Sequence, residues 1–195
     1  MGTGPSVVEF FSDGEYRQAC FARGDFVYFN KVPTQQVSEM RIETDEPELP
    51  ADFTGVFEPL ELIHNDDGRL LLVAKVGFNA DNNESMVSVY ELDHNELKSE
   101  FMTRVTLRNF VSTSRTKSHV LFHLDEARSQ SLVFNPFASE ATVSKTIYKN
   151  VMKPSINDDI VFTEEAQYVE YHNLSKGQSD RVVIKDVGGA SPEHC

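Results

Sequence analysis

Apolar residues in this chain come in short runs, most of them alternating with polar residues, and clusters of Asp, Asn and Gly separate one run from the next. Alternation with a period of two puts successive side chains on opposite faces of an extended strand, while Gly, Asn and Asp tolerate the backbone angles of tight reversals. The chain opens with Val7-Val8-Glu9-Phe10-Phe11, the turn Ser12-Asp13-Gly14, a run over 16–22, the turn Arg23-Gly24-Asp25 and a run over 26–29. Three strands in meander order are predicted. Runs at 59–64 and 69–76 flank Asn65-Asp66-Asp67-Gly68 and predict a hairpin. Further strands are predicted over 86–92, 96–102, 107–111, 119–124, 131–134, 142–148, 159–162, 168–171 and 181–184. Leu70-Leu71-Leu72-Val73-Ala74 and Val120-Leu121-Phe122 are apolar at every position, the pattern of strands covered on both faces. A helical period is nearly absent; residues 93–100 come closest, and their ends pattern as strand. The fold class is therefore all-β.

One unit recurs within this series. A strand carrying a Val and an aromatic is followed by a polar turn and a second strand that opens near a Ser or Val. The four copies are 26–30 with 37–42, 87–92 with 97–101, 131–135 with 142–147, and 168–172 with 181–184. Their anchors Val27, Val89, Val133 and Val169 recur at roughly 40-residue intervals, the first stretched by the acidic, proline-bearing residues 44–50. Repeats of this length resemble the blades of a WD40-like β-propeller, over most of the chain, although the Gly-His and Trp-Asp pairs of that family are missing. The resemblance implies β-propeller-like repeats of antiparallel meanders, with blade packed on blade. A ring of about four units either closes on itself or is completed by another copy or another protein. A β-sandwich is the alternative architecture. The expected organisation is a single all-β domain over 1–187 and a flexible tail over 188–195.

Composition narrows the function classes. With 195 residues, 39% of them hydrophobic and 25% charged, the chain can bury a full core and does not have the make-up of a disordered protein. A net charge of −13 repels a phosphate backbone and argues against nucleic acid as partner. The charge is uneven. Acids dominate from Glu39 to Asp67, where Arg41 is the single base, whereas Phe101 to Leu124 holds bases and no acid. Two partner-binding surfaces are predicted: an acidic one at Glu43, Asp45, Glu46, Glu48 and Asp52, and a basic one at Arg104, Arg108, Arg115 and Lys117. The expected partner is another protein or another copy of this chain. No apolar run reaches the roughly 18 residues of a membrane helix, and no basic, apolar leader opens the sequence; a cytoplasmic or nuclear protein is expected. Cys20 and Cys195 read as free thiols, with a bridge between first repeat and last residue as the alternative.

Residues able to carry chemistry are few. His119-Val-Leu-Phe-His123 has the spacing that on a helix shares one metal, but on a strand it puts the rings roughly 13 Å apart, so two separate, half-exposed histidines are expected. His64, Asp66 and Asp67 gather an imidazole and two carboxylates, which suits either a hairpin turn or a metal-dependent hydrolase. Residues 79–83 read as a polar loop and Arg23-Gly24-Asp25 as a turn. Asn83 and Asn173 begin glycosylation sequons that count only in a secreted ligand-binding domain. The segment 108–118, where basic and hydroxyl residues alternate, reads as a solvated loop with Ser112 and Ser118 open to phosphorylation. No nucleophile elbow or phosphate-cradling loop occurs, so no catalytic residue and no cofactor are expected.

Overall fold

The computed structural model describes residues 7–12, 16–32, 34, 36–140 and 143–183, and among them every regular element is a strand. Four antiparallel meanders follow one another along the chain. The first holds β1 (Val7–Ser12), β2 (Arg17–Arg23), β3 (Phe26–Val32) and β4 (Gln36–Arg41). The second holds β5 (Thr54–His64), β6 (Leu70–Asn79), β7 (Glu84–Asp93) and β8 (Lys98–Arg108). The third holds β9 (Ser112–Arg115), β10 (Val120–His123), β11 (Gln130–Phe134) and β12 (Tyr148–Lys149). The fourth holds β13 (Ile160–Glu164), β14 (Tyr168–Asn173) and β15 (Gln178–Val183). In the first, second and fourth sheets the recurring sequence unit forms the last hairpin, β3 with β4, β7 with β8 and β14 with β15, whereas in the third its first half is β11 and its second half precedes β12. The anchor valines Val27, Val89 and Val133 are buried there.

Consecutive sheets share a core. Phe11, Cys20, Val27 and Phe29 of the first sheet pack on Leu70, Leu72, Ala74 and Tyr90 of the second. The other face of the second sheet, with Leu71, Val73, Val87 and Val89, packs on Val120, Phe122 and Phe134 of the third. Leu121 and Val133 then pack on Val161 of the fourth. Strands β6 and β10 thus sit between two cores, which is why each is apolar at consecutive positions. Among the described residues no core joins the fourth sheet back to the first. The sheets form an arc of blade-like layers with two end faces.

Most predicted strands are present, usually longer than the pattern suggested, and the turns at Gly24 and Gly68 hold the positive φ that their sequences demand. Two segments differ. Strand β8 stops at Arg108 because Asn109 turns left-handed, with φ 61°, and its N–H donates to the Asn83 carbonyl. The segment that follows is no solvated loop: Ser112–Arg115 is the first strand of the third sheet, paired with β10. The run over 142–148 is also broken. Val143 makes an isolated bridge to Phe134, the Ser144 hydroxyl accepts the Val133 N–H at 2.9 Å in place of a backbone carbonyl, and pairing resumes at Tyr148. Asp13 and Gly14, Thr142, Ile184, Cys195 and the tail lie outside the described residues. Cys20 is a buried thiol, and burial pushes its pKa well above the usual range.

Candidate functional site

The acidic segment between the first two sheets has no regular structure and is held at every third residue, by Glu46, Leu49 and Asp52. Leu49 packs into the first core, and Gly77 of β6 leaves it room: a Cβ there would lie 3.0 Å from Leu49 Cδ2. Asp52 accepts a hydrogen bond from Asn79 Nδ2 at 2.8 Å. Glu46 accepts from the Tyr90 hydroxyl at 2.8 Å and from Arg104 at 3.2 Å, and Arg104 also donates to the Pro47 carbonyl at 2.7 Å. Glu43, Asp45 and Glu48 point outward and are exposed. The segment is thus pinned through Glu46, Leu49 and Asp52 and carries exposed carboxylates at Glu43, Asp45 and Glu48.

The basic residues do not form a separate surface. Arg104, with its side chain 12% exposed, is the internal counterion of Glu46. Arg108 pairs with Glu84 at 3.3 Å on the surface, and Lys117 pairs with Asp66 at 2.8 Å. Arg115 is as buried as Arg104. It donates to Glu9 of β1, to the Leu62 carbonyl of β5 and to the backbone of Thr116 and Lys117, so one guanidinium ties the leading strands of three sheets together. Beside it Glu61 accepts from Thr113, and burial pushes its carboxyl above the usual range against the pull of that bond and of Arg115. Glu9 carries no sequence signal for this role, because its partner is 106 residues away.

His119, just before β10, and His123 at its end each belong to a separate network, as strand spacing requires, but both are buried rather than half-exposed. His123 lies between two hydroxyls, Ser114 of β9 at 2.7 Å from Nε2 and Ser131 of β11 at 2.7 Å from Nδ1, and burial pushes its pKa down to about 4. The same clamp recurs one sheet on: His172 lies between Thr163 of β13 at 3.0 Å and Ser179 of β15 at 2.9 Å. This is a second internal repeat, hidden because its members are a His and single hydroxyls on three strands. His119 meets Asp159, which also takes hydrogen bonds from Thr116 Oγ1 at 2.7 Å and Ser118 Oγ at 2.6 Å. Burial pushes the Asp159 carboxyl up, but those bonds outweigh it and hold it at about 2. A Ser, a His and an Asp meet here without relay geometry. Ser118 donates to Asp159 directly, and both stand 3.2 Å from the same ring nitrogen, Nδ1, so the cluster clamps the β9–β10 turn to the fourth sheet.

His64 and its neighbours form the predicted hairpin turn. The Gly68 N–H donates to the Asn65 carbonyl at 3.1 Å and the Arg69 N–H to Asn65 Oδ1 at 2.9 Å. The His64 ring stacks on Phe11 with centroids 5.0 Å apart, while Asp66 faces Lys117. Among the described residues no group of three His, Cys, Asp or Glu side chains is placed to hold a metal ion.

No family model and no curated protein sequence matches this chain. Among solved structures it is similar to an oligogalacturonate lyase in complex with manganese, at 9% identity and a TM-score of 0.31 over 85% of this chain. It is also similar to the tricorn protease, at 11% identity and a TM-score of 0.31 over 88% of this chain. The aligned part spans 61% of the length of the first and 22% of the second.

Proposed function

We propose that this chain is a non-catalytic interaction module, a scaffold or adaptor built from WD40-like blades that presents its loops and edges to a protein partner. The observation that carries this reading is the pinned acidic segment. Glu46 and Asp52 hold it through Tyr90, Arg104 and Asn79, while Glu43, Asp45 and Glu48 face solvent, Glu43 with only an exposed ion pair to Arg41 at 4.0 Å. A fixed row of carboxylates on a chain of net charge −13 suits a partner segment rich in Lys or Arg, with long-range attraction raising the rate of encounter.

The test is a binding titration of the full chain with a Lys- and Arg-rich peptide at two salt concentrations. Reversing Glu43, Asp45 and Glu48 to Lys is expected to weaken binding at least tenfold and to flatten its salt dependence. Unchanged binding would sink the reading. The rival is a metal-dependent hydrolase at His64, Asp66 and Asp67, and metal analysis of the purified protein separates the two. A stoichiometric ion that disappears with His64→Ala would replace the scaffold with an enzyme.

A further inference from the structure

Both ends of the arc show apolar strand faces to solvent. Strand pairing puts Val8, Phe10, Ala19, Phe21, Tyr28 and Val37 on the outer side of the first sheet, opposite the core side that carries Cys20, Val27 and Phe29. Phe10 is 73% exposed and Val37 59%. Phe21 stacks on Tyr28 with centroids 4.8 Å apart, an aromatic row lying flat on the sheet. On the fourth sheet Phe162 pairs with Tyr171, and Val169 pairs with Val182, on the side away from the buried Val161. Phe162 is 44% exposed and Val182 61%. Single exposed apolar residues are ordinary, but contiguous apolar faces on two sheets call for a cover.

The polar residues on the two faces are opposite in sign. The outer side of the first sheet carries Arg17, Arg23 and Arg41 against one acid, Glu39, with Arg41 also held by Asp25 at 2.9 Å. The outer side of the fourth sheet carries Glu164 and Asp180 and no base. Like would repel like if two first sheets or two fourth sheets met. A first sheet on a fourth sheet buries both apolar faces and brings Arg against Asp and Glu.

We propose that two copies of this chain pair head to tail, the outer face of the first sheet of each covering the outer face of the fourth sheet of the other. This builds on the interaction-module reading and names one partner and the faces it uses. Two arcs of four sheets make eight blades, within the range in which propeller rings close. Strands about 4.8 Å apart and about 20 Å long give roughly 250 to 400 Å² per face, so two contacts bury roughly 500 to 800 Å² on each copy, a range that spans the lower bound of a specific interface. The twofold arrangement makes the two contacts equivalent and leaves no end open.

Sedimentation equilibrium of the full chain tests this, with circular dichroism to confirm that each variant keeps its fold. The wild type is expected to reach twice the chain mass and no more. Phe10→Asp blocks the first face and Val182→Arg the last, and each alone is expected to weaken association at least tenfold. Mixing the two variants is expected to restore a pair, because the intact last face of one meets the intact first face of the other. A wild type that stays monomeric, a mass that grows past two copies, or a Val182→Arg variant that pairs as well as wild type would each overturn the proposal. A monomer that still binds the basic peptide through Glu43, Asp45 and Glu48 would overturn the pairing and leave the scaffold reading standing.

Discussion

Strands β6 and β2 each carry apolar residues on both faces, yet only β6 is covered on both. Leu70 and Leu72 of β6 point into one core, and Leu71 and Val73 into the next. In β2, Cys20 and Ala22 are buried, whereas the alternate residues Ala19 and Phe21 are only partly so. A blade in the middle of the arc gets its stability from two neighbours, and a blade at the end from one. Energetic weight therefore concentrates in the second and third sheets, and the end sheets hold apolar surface in reserve for contact.

Phe122 lies fully buried between Phe110 and Phe134 in the middle of the arc, so Phe122→Ala is expected to cost about 3 to 5 kcal/mol in urea denaturation. A comparable loss is expected from Arg115→Met, about 3 to 5 kcal/mol, because Glu9 is left buried without its cation. Replacing both by Met is expected to recover much of it, and a double-mutant cycle measures the recovery.

Acid probes the same middle region. The folded-state pKa of His123, about 4, lies below its ordinary 6.5, so between those values the unfolded chain takes up a proton that the folded chain refuses. Stability is then full above pH 6.5 and falls as pH drops toward 4, by roughly 3 kcal/mol in all. Denaturation midpoints across that range check this, and His123→Gln is expected to flatten the slope. A smaller effect, about 1 to 3 kcal/mol, is expected of Gly77→Val, which drives a side chain into Leu49 and Phe53. The 43–52 segment should then be cut faster by protease while the sheets stay intact. Smallest of all, Phe10→Ala at the end face is expected to change monomer stability by less than about 0.5 kcal/mol. Should Phe10→Ala cost as much as Phe122→Ala, the contrast between end and middle would be gone.

Much of the architecture was legible in sequence because a strand's face is written locally, in alternation, and its ends in turn residues. The double-sided burial of β6 and β10 followed from unbroken apolar runs, and three of the four repeat units are the closing hairpins of their sheets. Strand β9 was hidden because Ser112-Thr113-Ser114-Arg115 has no apolar residue. Its side chains are satisfied by Glu61, His123 and Glu9, partners that only folding supplies. The two charged surfaces look independent in the sequence for the same reason. Nothing local says that Glu46 will meet Arg104 58 residues on, or that Arg115 will turn inward.

By itself, then, the sequence determined the all-β class, the meander order and the roughly fourfold repeat, since alternation and turn chemistry act over a few residues. Tertiary structure alone decided which charges are left exposed and which faces lie uncovered. Both depend on which sheets become neighbours, and a carboxylate or an apolar strand face has no role until its neighbour is in place.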